Sequence, residues 1–211
     1  MLNNKKYIIF DWNGTLIDDA YVFVDVLNVL LKRRGLMGVD LDQYRQLFCF
    51  PIKDFYKQIG LDVSNVSFAK LKTEFIDQYN KRRYDAKLFI DTKLILNRLG
   101  GQNVSLFILS ASNQNTLDDL TTYYGINKYF QDIVGVDNYI ADGKILQGKK
   151  LIKNIGGDAN EMVLIGDTDH DYEVAINLGI DCILISHGHQ SEGRLKKLNA
   201  KLIKNFNQLF E

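Results

Sequence analysis

The stretch formed by residues 7–19, YIIFDWNGTLIDD, constrains the fold of this 211-residue chain more than any other. Its first four residues are an apolar run that ends in the carboxylate Asp11, and Gly14 then allows a sharp turn. A run of four to eight apolar residues bounded by turn residues is typical of a strand buried on both faces. In an open parallel sheet, functional groups gather at the carboxyl ends of such strands. Asp11 is therefore a candidate functional residue.

After about residue 85, short apolar runs alternate with segments whose apolar residues recur at helical spacing. The sequence predicts strands over residues 104–109, 133–136, 162–165 and 182–185. It predicts helices over residues 92–99, 115–124, 149–155 and 172–178. Strands that alternate with helices favour right-handed parallel crossovers, so we predict a three-layer α/β core built on a Rossmann-like parallel sheet.

Residues 17–85 differ, because one helical pattern follows another without a convincing strand between them. We predict helices over residues 21–31, from Asp40, from Pro51 and over residues 67–83. This block interrupts the alternating pattern just after its first strand. We therefore predict an α/β core domain formed by residues 1–16 and 86–211, and an inserted all-helical cap domain formed by residues 17–85.

The composition excludes several classes of protein. Lys and Arg together number 26, as do Asp and Glu, so the chain lacks the overall positive charge of nucleic-acid-binding proteins. No apolar run reaches the ~20 residues that span a bilayer, and the N-terminus lacks the pattern of a secretion signal. The two cysteines, Cys49 and Cys182, lie far apart without metal-ligand spacing. We expect a soluble, cytoplasmic protein, monomeric or weakly dimeric, without nucleic-acid or membrane partners.

Polar residues follow three further predicted strands or open a helix beside them. The first group is Ser110-Ala111-Ser112-Asn113, where a hydroxyl and the N–H groups of the turn could donate to a phosphate oxygen. A plain helix N-cap by Ser110 or Ser112 explains the same residues. The second group is Gly148-Lys149-Lys150 at a predicted helix start, where a lysine opposes the helix dipole and could serve an anion. A solvated basic pair is the alternative for these lysines.

The third group is the most informative, because an apolar strand ends in Gly166-Asp167 and two more acids, Asp169 and Asp171, follow within four residues. Such acids repel one another unless a cation lies among them. Oxygen ligands favour Mg²⁺, which takes one or two carboxylates together with waters and a phosphate. An N-capped helix with acids in its first turn explains some of these residues, but not the acid at the strand end. The histidines of His187-Gly188-His189 follow the last predicted strand, and we expect them in a loop at the rim of the site rather than on a transition metal.

Taken in order, FDWNGTLIDD, the serine after the second core strand, the lysine before a helix and GDTDHD resemble the four motifs of the haloacid dehalogenase superfamily. The helical block after the first motif resembles that superfamily's helical cap. The resemblance spans essentially the whole chain and is closest to the phosphoglycolate phosphatase-like branch. It implies a Mg²⁺-dependent phosphatase that hydrolyses a small phosphorylated metabolite through an aspartyl-phosphate intermediate.

The resemblance also implies roles for individual residues. Asp11 would be the nucleophile, and position 13 would be the general acid and base. Thr15 and Ser110 would hydrogen-bond the transferring group. Lys149, preferred to Lys150 because it directly follows a glycine, would neutralise that group and hold Asp11.

Substrate and metal ligands follow from the same resemblance. Gly14 and Ala111 would join Ser110 and Lys149 in binding the substrate phosphate. Asp11, Asp167 and the backbone carbonyl of residue 13 would bind Mg²⁺ directly, and Asp171 would act mainly through metal-bound water.

Position 13 departs from the pattern, because Asn13 stands where the superfamily's phosphatases carry an aspartic acid. An amide cannot exchange a proton at ordinary pH, and losing general acid–base catalysis costs ~10²–10⁴-fold in rate. One interpretation is a slow phosphatase that needs good leaving groups or recruits another acid, such as Asp18, Asp19 or His170. A second is a phosphate-ester-binding pseudo-phosphatase. A third is a carbon–halogen hydrolase, which needs no Mg²⁺, or a phosphonate hydrolase with a cap lysine such as Lys53 or Lys57.

Overall fold

A computed structural model of the chain describes residues 1–136 and 143–211. The strands in this part of the chain are β1 (Tyr7–Phe10), β2 (Ile17–Asp18), β3 (Lys87–Leu88), β4 (Ser105–Asn113), β5 (Asp132–Val136), β6 (Met162–Gly166), β7 (Asp181–Ile185) and β8 (Lys201–Ile203). The α-helices are α1 (Ala20–Lys32), α2 (Leu41–Leu47), α3 (Ile52–Gln58), α4 (Asn65–Arg82), α5 (Thr92–Gly100), α6 (Gln114–Tyr123), α7 (Gly143–Ile155), α8 (Asp169–Leu178) and α9 (Glu192–Leu195).

Six strands form one sheet in the order β5-β4-β1-β6-β7-β8, and every pairing in it is parallel. The first strand lies inside this sheet, where Phe10 is level with Ile108 of β4 and Ile165 of β6. Because the strands run in the same direction, the residues that follow these three positions meet at one edge of the sheet. That edge therefore collects the polar strand ends.

Successive side chains of the central strands point to opposite faces of the sheet, as the pleat requires. Ile8 and Phe10 pack in one apolar cluster with α5 and α6, whereas Ile9 packs in another with α7 and α8. Both faces are thus covered by helices, which explains why the strands are continuous apolar runs rather than alternating ones. The predicted three-layer α/β fold with a helical insertion after the first strand is confirmed.

The helices α1 to α4 enclose an apolar cluster of their own that is rich in aromatic residues, among them Tyr44, Phe48 and Phe55. The segment leaves and rejoins the sheet domain beside the antiparallel ribbon β2–β3, in which Ile17 is level with Leu88. The exact division into residues 1–16 with 86–211 and residues 17–85 stays a prediction. No helix in residues 1–136 and 143–211 has both the length and the apolar character to cross a bilayer.

Secondary structure differs from the predictions in several places. The strand β4 continues to Asn113, so Ser110 and Ser112 lie within it and Asn113 caps α6. The helix predicted from Lys149 begins at Gly143, so Gly148 lies inside it rather than before it. A Cβ at Gly148 would lie 2.9 Å from Leu178 and 3.0 Å from Leu109, so the glycine allows α7 to approach β4 and α8 closely. The strands β2, β3 and β8 were not predicted, because two or three residues are too few to show a periodic pattern.

Candidate active site

Three carboxylates meet at the carboxyl edge of the sheet. Asp11 follows β1, Asp167 follows β6, and Asp171 lies in the first turn of α8; one oxygen of each lies within 4.8 Å of the others. The side chain of Lys144 on α7 reaches the same point, with its Nζ 2.5 Å from Oδ1 of Asp11 and 2.6 Å from Oδ1 of Asp171. All four residues are buried. Three buried carboxylates against one ammonium leave an excess of negative charge that suits a divalent cation.

The electrostatics of this cluster follow from burial and from the shortage of positive charge. Burial raises the pKa of Asp11 to about 8, and the carboxylates of Asp171 and Asp167 add to the rise while Lys144 opposes it. Burial likewise raises the pKa of Asp167 to about 7. For Asp171 the ammonium of Lys144 outweighs burial, and its pKa is lowered. For Lys144 burial opposes the charge, but Asp11 and Asp171 outweigh it and raise its pKa.

The lysine of this site is Lys144, and the prediction of Lys149 is wrong. Lys144 is 2% exposed and shares the buried face of α7 with Gly148 and Leu151. Lys149 lies five residues further on, roughly 140° around the helix, and both it and Lys150 are exposed. Sequence reasoning missed Lys144 because the helix was expected to start after Gly148.

Asp171 is held in place by the turn between β6 and α8. Its Oδ2 accepts hydrogen bonds from Oγ1 of Thr168 at 2.7 Å, from N of Thr168 at 3.0 Å and from N of Asp167 at 3.2 Å. Thr168 caps the helix reciprocally. With both oxygens of Asp171 engaged by protein donors, its direct contact with a metal is less favourable than that of Asp11. Its action through metal-bound water stays a prediction. The third acid of the motif, Asp169, is paired instead with Arg194.

The turn after β1 depends on Gly14, whose φ is +71°. A Cβ at this position would overlap the carboxylate of Asp167 and the ring of His189. The N–H of Gly14 donates to O of Ile17 at 2.9 Å and to Oδ1 of Asp19 at 3.1 Å. This N–H is therefore engaged within the turn, and binding of the substrate phosphate by Gly14 stays a prediction.

The N–H groups of Trp12 and Asn13 have no acceptor among the described residues, so they are better placed than Gly14 to bind a phosphate at the end of β1.

The hydroxyl of Thr15 donates to Oδ1 of Asp167 at 3.1 Å and thereby orients that carboxylate. The roles of Thr15 and Ser110 toward the transferring group stay predictions. Ser110 is buried and its Oγ accepts from N of Ser112.

The amide of Asn13 is oriented by two neighbours. Its Nδ2 donates to Oδ2 of Asp19 at 2.6 Å, and its Oδ1 accepts from Oγ of Ser112 at 2.6 Å. A carboxylate only accepts hydrogen bonds, so the nitrogen must face Asp19. Asn13 is thus a fixed hydrogen-bonding group at the site, and its backbone carbonyl as a metal ligand stays a prediction.

His189 has a larger part in the site than its sequence position suggested. Its backbone N donates to Oδ2 of Asp167 at 2.6 Å, its Nε2 lies 3.0 Å from Oδ1 of Asp19, and its Nδ1 lies 2.7 Å from the hydroxyl of Tyr44 on α2. Burial opposes protonation of His189, but Asp19 outweighs it and raises the pKa of the ring. The residue lies in a loop as expected, but it is 3% exposed and thus buried within the site rather than at its rim. In the sequence, this role is indicated by the position of His187-Gly188-His189 directly after a predicted strand.

The ring of His187 is held by a stacking contact and one hydrogen bond. Its ring stacks on Phe89 with centroids 3.6 Å apart, and its Nε2 lies 3.1 Å from O of Thr15. Burial lowers the pKa of His187 to about 4, so the ring is neutral at ordinary pH.

Among the acids considered as replacements for position 13, Asp19 contacts Asn13 directly. Asp18 lies in the β2–β3 ribbon. His170 lines the cavity described next, where its ring stacks on Phe50 with centroids 4.5 Å apart. Of the two cap lysines, Lys53 lines that cavity and Lys57 is exposed.

A cavity of about 510 Å³ opens over the carboxylates. One end is formed by residues of the sheet edge, including Asp11, Lys144 and Asp167, and Ala111 and Ser112 also line it. The remaining wall comes from α1 to α4 and the loop before α3. A ligand held at Asp11 would therefore extend between the sheet edge and the helical segment.

The raised pKa values predict a pH dependence of Mg²⁺ binding. In the metal-free protein Asp11 and Asp167 carry protons below pKa values of about 8 and 7. Mg²⁺ must displace these protons at about pH 6 but few of them at about pH 9, so its affinity rises with pH. A fixed concentration of Mg²⁺ should raise the melting temperature more at the higher pH. Asp167→Asn removes one of the two titrating carboxyl groups and should reduce this difference, and equal shifts at both pH values in the wild type would contradict the assignment.

Comparisons with known proteins agree with this geometry. A curated phosphoglycolate phosphatase from Caulobacter vibrioides is 26% identical over 208 residues, covering 95% of this chain and 86% of the relative. A 5'-nucleotidase from Pseudomonas aeruginosa is 24% identical, with 90% and 86% covered. The solved structure of a haloacid dehalogenase-like family hydrolase from Streptococcus pneumoniae superposes with a TM-score of 0.82 at 20% identity, covering 98% of this chain and 97% of that one. Residues 8–185 match the haloacid dehalogenase-like hydrolase family, and the chain belongs to that family.

Proposed function

We propose that this protein is a Mg²⁺-dependent phosphatase that hydrolyses a phosphomonoester through an aspartyl-phosphate on Asp11. The observation that carries the proposal is the position of Asp11 at the end of a central strand, facing a cavity. Lys144 lies 2.5 Å from it, and Asp167 and Asp171 are close by. Two relatives are named phosphoglycolate phosphatase and 5'-nucleotidase, and these names support hydrolysis of a phosphomonoester.

The first step transfers the phosphoryl group to Asp11. A carboxylate oxygen of Asp11 forms a bond to phosphorus, the ester P–O bond breaks, and the alcohol oxygen leaves with the electron pair. Oδ1 of Asp11 is held by Lys144, whereas Oδ2 accepts no hydrogen bond from the described residues and is free to attack. Lys144 also places positive charge next to the transferring group. Mg²⁺ held by Asp11 and Asp167 would compensate the negative charge of the phosphate.

The second step regenerates the enzyme. Water attacks phosphorus, the P–O bond to Asp11 breaks with its electron pair returning to the carboxylate, and inorganic phosphate forms. The proton lost by the water passes to solvent, and solvent supplies the proton taken up by the departed alcohol oxygen. Asn13 can orient a leaving oxygen or a water but cannot exchange a proton with it. We therefore propose rapid turnover only for esters whose leaving group needs little protonation. The orientation of Asn13 between Asp19 and Ser112 is also compatible with a pseudo-phosphatase that binds phosphate esters without turnover.

Hydrolysis of acetyl phosphate and a panel of phosphomonoesters tests the reaction itself. With Mg²⁺ the wild-type protein should release phosphate, chelation should stop it, and Asp11→Asn should abolish it because the nucleophile is lost. Asp169→Asn is the matched control, since it removes an acid of the same motif that pairs with Arg194 outside the cluster. If wild type and Asp11→Asn are equally inert while both bind Mg²⁺, the pseudo-phosphatase interpretation replaces the proposal.

The two lysines of α7 provide a second test. Lys144→Met should lower kcat by about 10²–10³-fold, the usual effect of removing one preorganised electrostatic contact. Lys149→Met changes an exposed residue on the same helix and should leave kcat unchanged. Melting temperatures with Mg²⁺ would show that both variants are folded. Equal losses in the two variants would contradict the assignment of Lys144.

An acid introduced at position 13 tests whether proton transfer there limits turnover. Asn13→Asp places two carboxyl groups at a 2.6 Å contact, where they must share a proton. That proton can be given to a poor leaving group, so kcat on alkyl phosphates should rise about 10²-fold or more. The gain should fall at high pH, where the shared proton is lost, and it should be small for acetyl phosphate.

The double variant Asn13→Asp/Asp19→Asn is the matched control, since it reverses the pair and keeps its hydrogen bond and net charge. It should keep a gain on alkyl phosphates over the wild type. No gain in either variant would mean that proton transfer at position 13 does not limit turnover.

A further inference from the structure

The cavity over Asp11 differs in character from one end to the other. Its sheet end carries the carboxylates and Lys144, which would be occupied by the phosphate and the metal. The rest of its lining is dominated by aromatic residues of the helical segment. Of the 28 described residues that line the cavity, nine are Phe or Tyr, so the space beyond the phosphate is apolar.

These aromatic rings form a continuous wall from the sheet end outward. Tyr44 contacts His189 at the sheet end, with ring centroids 5.7 Å apart, and Phe55 lies 5.6 Å from Tyr44. Tyr56 lies 6.0 Å from Phe55, and Phe68 lies 6.0 Å from Tyr56. A ligand that extends from Asp11 would therefore meet one aromatic ring after another.

Positive charge for a second anionic group is lacking near the phosphate position. Of the lining residues that the structure describes, none is an arginine, and Lys144 is already engaged by Asp11 and Asp171. The raised pKa of His189 favours its charged form, but its two ring nitrogens are already engaged by Asp19 and by Tyr44. The remaining lysines, Lys53 and Lys72, lie over the ring of Phe68, at 5.9 and 5.2 Å from its centroid. Three ring contacts separate Phe68 from Tyr44, so these lysines lie at the end of the aromatic wall away from the ring that contacts His189.

We propose that the substrates of this site are phosphate monoesters of bulky, apolar alcohols that carry an aromatic group. This inference rests on the proposed phosphatase function. The volume of about 510 Å³ lies in the range of pockets that enclose a ligand of drug-like size. Burial of an aromatic group against this apolar wall is favourable, whereas the carboxylate of phosphoglycolate would have no partner there.

A matched set of esters separates this inference from leaving-group chemistry. Ethyl phosphate, phosphoglycolate and 2-(2-naphthyl)ethyl phosphate are all esters of primary alcohols and differ mainly in the group that would occupy the cavity. The naphthyl ester should have a kcat/KM at least about tenfold higher than either of the other two. Most of this difference should lie in a lower KM, because the burial of even a few apolar carbon atoms strengthens binding about tenfold. A kcat/KM for ethyl phosphate or phosphoglycolate equal to that of the naphthyl ester would overturn the inference.

Two variants on one helix locate the effect. Ile76 on α4 is half-buried and lines the cavity. Other residues of α4 pack in two apolar clusters, but Ile76 belongs to neither of them. Ile76→Gln should raise KM for the naphthyl ester about tenfold and leave KM for ethyl phosphate unchanged. Val66→Gln is the matched control, because Val66 is 84% exposed on the same helix. Equal effects of both variants, with unchanged melting temperatures, would overturn the assignment of this wall.

The outcomes also separate this inference from the proposed function. If acetyl phosphate is hydrolysed in an Asp11-dependent manner but no naphthyl preference appears, the function stands and the inference is wrong. If no compound is hydrolysed, the proposed function fails, and calorimetric binding of the naphthyl and ethyl esters with Mg²⁺ decides the ligand class. A binding preference of about tenfold or more for the naphthyl ester supports the inference, and equal binding contradicts it.

Discussion

The structure of the active site depends on one electrostatic constraint, the burial of three carboxylates around a single lysine. Asp11, Asp167 and Asp171 lie close together with Lys144 between two of them. Such a cluster is costly in an apolar interior, because removal from water disfavours every charge and the single ammonium cannot balance three carboxylates. The cost is lowered by protonation in the absence of a metal, and Mg²⁺ would lower it further. The proposed binding of a metal and a phosphate would therefore explain an arrangement that stability alone does not favour.

The parallel sheet makes this constraint possible. Its register sets Phe10 level with Ile108 and Ile165, so that residues distant in sequence leave their strands at the same edge. Glycines then allow the loops to approach one another closely. A Cβ at Gly188 would overlap both the carboxylate of Asp167 and the backbone of Gly14. The strands fix the positions of the functional side chains, and the glycines in the loops leave space for close packing.

The helical segment is tied to this edge by polar contacts as well as by packing. Tyr44 reaches His189, and the neighbouring Arg45 donates to O of Gly188 at 2.8 Å and to O of His187 at 2.9 Å. His189 in turn contacts Asp19, which accepts from the amide of Asn13. The residue that departs from the family pattern is thus part of a hydrogen-bonded chain that connects the sheet edge to α2. A change at position 13 therefore acts on more than proton transfer alone.

The sequence by itself determined the α/β alternation, the helical insertion and the candidates Asp11, Asn13 and Asp167, because apolar periodicity and turn residues are local properties. Only the tertiary structure decided that Lys144 rather than Lys149 reaches the carboxylates, since the start and buried face of α7 depend on its packing against β4 and α8. The same holds for His189 and for the aromatic wall of the cavity. Spacing along a helix shows which residues share a face, but contacts between distant segments decide what that face meets.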